Sequence, residues 1–451
     1  MTSGKIELSK KENHRVQVLV CAGESGRTNR EIALALGVCV RQVQRMKKAL
    51  KEEGPAGLAH GNRGCTPKHA LTPEIAASVV ELYKTEYDDF NFTHFTEKLV
   101  EVEGIQINRS SVRRVLLAAG YRSPKKRRAP KHRSRRERRA CEGAMLQIDG
   151  SPHDWLEGRG PWMCLVGGID DATGKVAGAV FREHEDAHGY FLLMRQVVAK
   201  HGIPETVYRD RHGIFERKPN EPTDIWEDFE GKRSPTQFGR LMEELGIRAI
   251  PANSPQAKGR IERLWATFQD RLVSELRLAG ACTMEEAEAV LARVIIDHNR
   301  RFARKPNDPR SVYRRMETGK TYDPIFCFKY PRTVGRDNTV IFGRRFVQIP
   351  RGPGGRSYSG CRVEVQHRFD DSLHIYYQGM CIASTPPAET PPKVIRVLDS
   401  HGRQTEECPW ANLRSPKPKE EKPVQQTERR PYKPPPNHPW RRDWVTKSLN
   451  R

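Results

Sequence analysis

None of the ten cysteines, at positions 21, 39, 65, 141, 164, 282, 327, 361, 381 and 408, stands in a C-x-x-C pair. That excludes a zinc ribbon or a disulfide framework and points to a reduced, cytosolic chain. The opening MTSGKIELSKKENHR lacks the apolar core of a signal peptide, and no later apolar run is long enough to span a bilayer. No membrane is therefore expected. No repeat of solenoid period is evident. Acids are the minority charge, with 56 Asp and Glu against 79 Lys and Arg, a formal net charge of +23. So basic a balance calls for a polyanionic partner, and with a membrane set aside that partner is nucleic acid. At 451 residues the chain predicts two to four domains.

What is present first is a helical region. Residues 11–53 read as three helices, the second opening on the capping box Thr28-Asn29-Arg30-Glu31, carrying Ile32, Ala35 and Leu36, and breaking at Gly37. Two short helices joined through a glycine turn form a helix-turn-helix pattern, assigned to residues 1–65. In the third helix Val40, Val43, Met46 and Leu50 are expected inside. Arg41, Gln42, Gln44, Arg45 and Lys48 then face out, towards base edges or phosphates of double-stranded DNA. A second module of this kind is expected at 66–121. Its candidate recognition helix, NRSSVRRVLLAAG, is capped by Asn108 and packs through Val112, Val115, Leu116 and Ala119, leaving Arg109, Arg113 and Arg114 outside. A helical scaffold with a solvated basic face is the plainer alternative for each module. The linker 122–142 holds RSPKKRRAPKHRSRRERR, with eleven Lys or Arg and one acid, Glu137. That density predicts a flexible arm ordering on phosphate, with Lys125, Lys126, Arg127 and Arg128 as candidate contacts.

From 143 to 312 the pattern alternates. Three strands with turn residues between them, a helix, a strand, a helix, a short strand and a long helix predict a mixed α/β layer. Short strands joined by Gly and Asp turns suggest a small β-barrel over 313–385, and the proline-rich, basic 386–451 reads as a disordered tail. The predicted architecture is thus multidomain: all-α modules, an α/β core, a small β-barrel and a tail.

Three acids stand out in the α/β region. Asp149 lies near the end of its first strand, Asp210 at the end of its fourth, and Glu262 near the start of the long helix. Carboxylates so placed are candidates for Mg²⁺, which two at a time can activate an attacking oxygen and stabilise the leaving one at a phosphodiester. Each alone has a bland reading, since Asp often ends strands and Glu262 could pair with Lys258.

In the order QIDGS, YRDRHGIF, NSPQAKGRIERLW and DHNRRFARKP the chain resembles the integrase-type DDE transposases of bacterial insertion sequences, particularly the ISNCY-like group. The resemblance covers most of the chain and is most specific over residues 250–265. It implies an RNase H-like core with Asp149, Asp210 and Glu262 as the metal-binding triad, served by Mg²⁺ or, in substitution, Mn²⁺. It further implies Gln256, Lys258 and Arg260 beside donor DNA, element ends and target as DNA partners, and a dimer or larger assembly in the bacterial cytoplasm at the nucleoid. One departure is length: 51 residues separate Asp210 from Glu262, and the surplus brings Glu216, Glu221, Asp224, Glu227, Asp228 and Glu230 as competing acids.

Two other readings compete. HEDAH, His184 to His188, matches the zincin pattern, but Asp186 reads as a helix cap inside the motif. Asp170 and Asp171 read as turn residues. A DNA-binding transcriptional regulator, or a transposase derivative without catalysis, would account for the modules, arm and charge but not for the three acids.

Overall fold

The computed structural model describes residues 8–60, 71–124, 136–217, 233–252, 258–317, 319, 321–392 and 394–398. The chain divides into two compact units, 1–81 and 82–451. Among the described residues no helix is long and apolar enough to cross a membrane.

In the first unit α1 (Lys10–Glu24), α2 (Asn29–Leu36) and α3 (Val40–Glu53) enclose Leu19, Ala22, Ile32, Ala33, Val43, Met46 and Leu58. Capping boxes start α1 at Ser9 and Glu12 and α2 at Thr28 and Glu31. Each satisfies two amides that a helix start leaves without intrahelical partners. Gly37, at φ 65°, ends α2 in the left-handed conformation and aims α3 away from it. The inner face of α3 is narrower than the spacing predicts: Val43 and Met46 are buried, Leu50 is half-buried and Val40 is exposed at the first turn. Likewise the buried alanine of α2 is Ala33, and Ala35 faces out.

Helix α4 (Pro73–Thr85) carries the boundary into the second unit. Helices α5 (Phe92–Glu101) and α6 (Arg109–Ala118) follow, capped by the side chains of Asn91 and Asn108. Val112 and Leu116 of α6 are buried, Val115 is half-buried, and Ala119, just past the helix end, is exposed. An aromatic cluster of Tyr83, Tyr87, Phe90, Phe92 and Phe95 fills this module.

The α/β region is a five-stranded sheet in the order β3-β2-β1-β4-β5. Strands β1 (Leu146–His153), β2 (Met163–Asp170) and β3 (Val176–Arg182) form an antiparallel meander. Strands β4 (Thr206–Arg209) and β5 (Arg248–Pro251) add in parallel on the β1 side. Every residue of β2 and β3 is buried, as a sheet covered on both faces requires. One face packs Leu146, Ile148 and Val166 against α7 (Ala187–Lys200) and α8 (Gln237–Glu244). The other packs Met163, Leu165 and Phe181 against α9 (Ile261–Leu278) and α10 (Met284–Phe302).

The C-terminal strands do not close a barrel among the described residues. They form an antiparallel sheet, β11-β10-β9-β6, and a separate hairpin, β7-β8. These strands are β6 (Phe328–Thr333), β7 (Thr339–Phe342), β8 (Arg345–Gln348), β9 (Arg362–His367), β10 (Leu373–Tyr377) and β11 (Met380–Ser384). The hairpin pairs only with itself in these ladders, and its Val340, Phe342 and Val347 pack into the core that the four-stranded sheet shares with α7 and α8. Apolar packing thus unites the pieces that a continuous hydrogen-bonded ladder was expected to join. The segment expected as a disordered tail, 386–451, is packed where it can be followed furthest: Ile395 is buried in this core, its amide donates to His188 Nδ1 at 3.3 Å, and the Leu398 amide donates to the Tyr330 hydroxyl at 3.2 Å. Beyond residue 398 it lies outside the described residues.

Candidate active site

Strand alternation sets the site. Leu146 and Ile148 of β1 enter the core with α7, so Gln147 and Asp149 point to the face covered by α9. Asp149 pairs across the ladder with Gly167. A Cβ at Gly167 would lie 2.7 Å from a ring carbon of Trp265, so the missing side chain is what admits the indole. Trp265 Nε1 then donates to Asp149 Oδ2 at 3.1 Å. Strand β4 lies parallel to β1 with Gln147 beside Tyr208, so Asp149, the fourth of eight residues in β1 and not near its end as expected, comes level with Asp210 in the residue after β4.

Lys258 joins them. Its ammonium lies 2.7 Å from Asp149 Oδ1 and 3.2 Å from Asp210 Oδ2, and its side chain is largely buried. Burial raises the Asp149 pKa above its ordinary value, a rise that Lys258 and Trp265 oppose. Burial alone would depress the Lys258 ammonium, but the two carboxylates outweigh it and hold its pKa above the usual lysine range. The Asp210 carboxylate also accepts from the His212 amide at 3.0 Å, which fixes the loop after β4.

Glu262 occupies the second residue of α9 and is exposed. The described residues bring no three potential metal-ligating groups together, so the structure gathers Asp149 and Asp210 but does not add Glu262 to them. Of the three residues that the resemblance sets beside donor DNA, Lys258 bridges the two acids, and Gln256 lies outside the described residues. Arg260 is turned inward, 9% exposed, with Nη1 2.8 Å from Asp171 Oδ1. Arg41, Gln42 and Arg45 on α3 and Arg113 and Arg114 on α6 are exposed. Lys125, Lys126, Arg127 and Arg128 lie outside the described residues.

The competing motifs resolve into structure. Helix α7 begins at Ala187, after Asp186, whose carboxylate caps the Gly189 amide at 2.7 Å and pairs with Arg182 at 2.7 Å. His184 therefore precedes the helix and shares no helical face with His188. Burial, with Arg182 adding to it, pushes the His188 pKa down to about 3. Glu216 pairs with Arg209 at 3.3 Å, whereas Glu221, Asp224, Glu227, Asp228 and Glu230 lie outside the described residues. Asp170 does serve the turn, accepting from the Thr173 amide at 2.8 Å and hydroxyl at 2.7 Å and from the Gly143 amide at 2.9 Å. Asp171 does more than a turn needs, with bonds to four separate residues.

Three neighbours of the acids escaped the sequence reading. Trp265 was legible only as an apolar helix position, and Gly167 only as one of two strand glycines. Glu185 was absorbed into the zinc motif, yet its carboxyl accepts from the Tyr190 hydroxyl and lies over Gly150, where a Cβ would meet it at 2.7 Å. Burial, with Asp149 and Asp210 contributing, raises its pKa.

Residues 15–77 match the winged helix-turn-helix family model. Over 377 residues the chain is 32% identical to the Sinorhizobium fredii protein named as transposase y4bF, an alignment covering 83% of this chain and 81% of that one. The chain belongs to the transposase family. A second relative, the transposase for insertion sequence IS1202 of Streptococcus pneumoniae, is 28% identical over 466 residues, covering 95% of this chain and 93% of its own. Similar solved structures are distant. The simian T-cell lymphotropic virus intasome in complex with PP2A regulatory subunit B56 gamma has 12% identity and a TM-score of 0.28, over 69% of this chain and 100% of that one. The HTLV-2 integrase catalytic core domain in complex with magnesium has 14% identity and a TM-score of 0.23, over 34% and 84%. At such scores neither bears on this transposase's site.

Proposed function

We propose that this transposase is an integrase-type DDE enzyme of the ISNCY-like group with an RNase H-like core, cutting the ends of its own element and joining them to target DNA. The observation that carries the reading is the Asp149–Lys258–Asp210 bridge, in which one carboxylate from within β1 and one from just after the adjacent β4 share one cationic group. A pair that holds an ammonium at these distances has the donor chemistry for a hard divalent cation, Mg²⁺ or Mn²⁺, with Glu262 as the third ligand. Such an ion, when bound, supplies charge neutralisation at the phosphodiester and activation of the attacking oxygen.

The chain's own residues do the rest. Trp265 keeps one oxygen of Asp149 in place, and Lys258 exchanges its carboxylate partners for a DNA phosphate. Because Lys258 and Glu262 share one segment, that exchange shifts the start of α9 together with the third acid. Exposed side chains of α3 and α6 bind the terminal inverted repeats, and the basic arm follows the backbone. Hydrolysis at each end leaves a 3′-hydroxyl and a 5′-phosphate, and the 3′-hydroxyl then displaces a phosphodiester oxygen in the target. Two ends must be joined in concert, so a dimer or larger assembly acts, in the cytoplasm at the nucleoid.

The test is cleavage of end DNA by purified protein with Mg²⁺. Wild type is expected to release the 3′-hydroxyl, whereas Asp149→Asn, Asp210→Asn and Glu262→Gln each lose at least a thousandfold in rate while still binding the end. Equal cleavage by Glu262→Gln would remove that residue from the triad, and binding without cleavage by any form would favour a regulator.

A further inference from the structure

Asp171 is fully buried, and a lone carboxylate in that position would cost several kcal/mol. It is satisfied from three separate segments. Oδ1 accepts from Gln147 Nε2 at 2.7 Å, from Arg260 Nη1 at 2.8 Å and from Arg136 Nη2. Oδ2 accepts from the Arg139 amide at 2.8 Å. Arg260 also reaches the Arg136 carbonyl at 3.4 Å, and Arg138 donates to the Asp171 and Ala172 carbonyls at 3.3 and 3.0 Å. The adjacent Asp170 already serves the β2–β3 turn, so the turn does not account for this second acid.

The three segments are those the proposed reaction has to align. Gln147 stands two residues before Asp149 on β1, and Arg260 stands two residues before Glu262. Arg136 and Arg139 close the basic arm. We infer that Asp171 is a positioning residue: one buried carboxylate sets the register of the first and third acids and ties both to the end of the arm. Resting on the triad reading above, this gives Arg260 a different task from holding donor DNA. Its guanidinium faces the protein, and its effect on DNA passes through Asp171. An arm drawn onto phosphate pulls on Arg136 and Arg139, and the pull reaches the start of α9 through the same carboxylate.

The test compares full-length wild type, Asp171→Asn and Arg136→Gln by amide hydrogen exchange without DNA and by single-turnover cleavage of end DNA. Arg136 is partly exposed, so its variant keeps the fold even if Asp171→Asn does not. Exchange is expected to rise together in 136–142 and 258–264, tenfold or more in Asp171→Asn and about threefold in Arg136→Gln. The cleavage rate constant falls in the same order while end affinity stays within twofold. A merely structural role would instead lower the active fraction and leave the rate constant unchanged, which would overturn the inference. So would unchanged exchange over 258–264 in Arg136→Gln. If Asp149→Asn cleaved like wild type, the triad reading would fall, and the exchange result would still decide whether Asp171 links arm and helix.

Discussion

The narrowest constraint on the site is a missing side chain. Gly167 leaves room for the Trp265 ring, and the ring's N–H holds Asp149. Replacing Gly167 with alanine sets a methyl 2.7 Å from that ring, which cannot swing aside as a flexible chain end would. Gly167→Ala is therefore expected to cost about 1–3 kcal/mol of stability through overpacking. It should also slow end cleavage about tenfold through the displaced indole, as denaturant melts and single-turnover rates would report. Unchanged cleavage in a destabilised variant would show that the indole contact does not matter to the chemistry. At this scale the sequence was legible for types but not for partners. Asp149, Asp210 and Lys258 stood out as chemistry-bearing residues, whereas the bridge among them depends on a strand pairing and a loop that spacing does not specify. Arg260 and Asp171 are the reverse case. A basic residue in a DNA-facing motif reads as a phosphate contact until the fold supplies it with a buried acid.

Among the elements, α5 is docked on α9 by charge and polar contacts. Asn91 bonds Asp270 at 2.7 Å, Glu97 takes Arg271 at 2.6 Å, and Glu275 receives His94 at 2.7 Å and Lys98 at 2.8 Å. Burial would raise the Glu275 pKa, but the His94 and Lys98 bonds outweigh it and hold it below its ordinary 4.5. A carboxylate depressed in the folded state contributes stability that is present above its unfolded pKa and lost as pH falls through the folded one. Glu275→Gln should thus cost about 1–2 kcal/mol at pH 7, and its gap to wild type should close as pH is lowered through the carboxylate range. A gap that stays constant from pH 7 to pH 4 would mean that the ion pairs do not dock α5. The helices themselves were legible, because capping residues and apolar spacing act within a few residues. Their docking was not, since each partner lies more than a hundred residues away. The barrel expected over 313–385 is not seen among the described residues for a related reason: turn residues announce strands, but which strands share a ladder is decided by packing.

Over the whole molecule, charge and chemistry are divided. The excess of Lys and Arg, +23 overall, gives a surface suited to DNA, and Asp149 in β1 and Asp210 just after the adjacent β4 form a small region of opposite sign within it. On the proposed function, that division accounts for a lone glutamate at the start of a helix flanked by Lys258, Arg260 and Arg263: the basic residues would hold and position, and the acid would serve the cation. Membership of the transposase family follows from similarity along most of the chain, and the proposed triad is the mechanism to be tested within it. The most direct measurement is movement in cells of a marked donor, flanked by the gene's natural neighbouring DNA, into a target plasmid. Wild type would be set beside Asp149→Asn and Glu262→Gln. Wild type is expected to give insertions and neither variant any; insertions at wild-type frequency with either one would overturn the assignment of these acids.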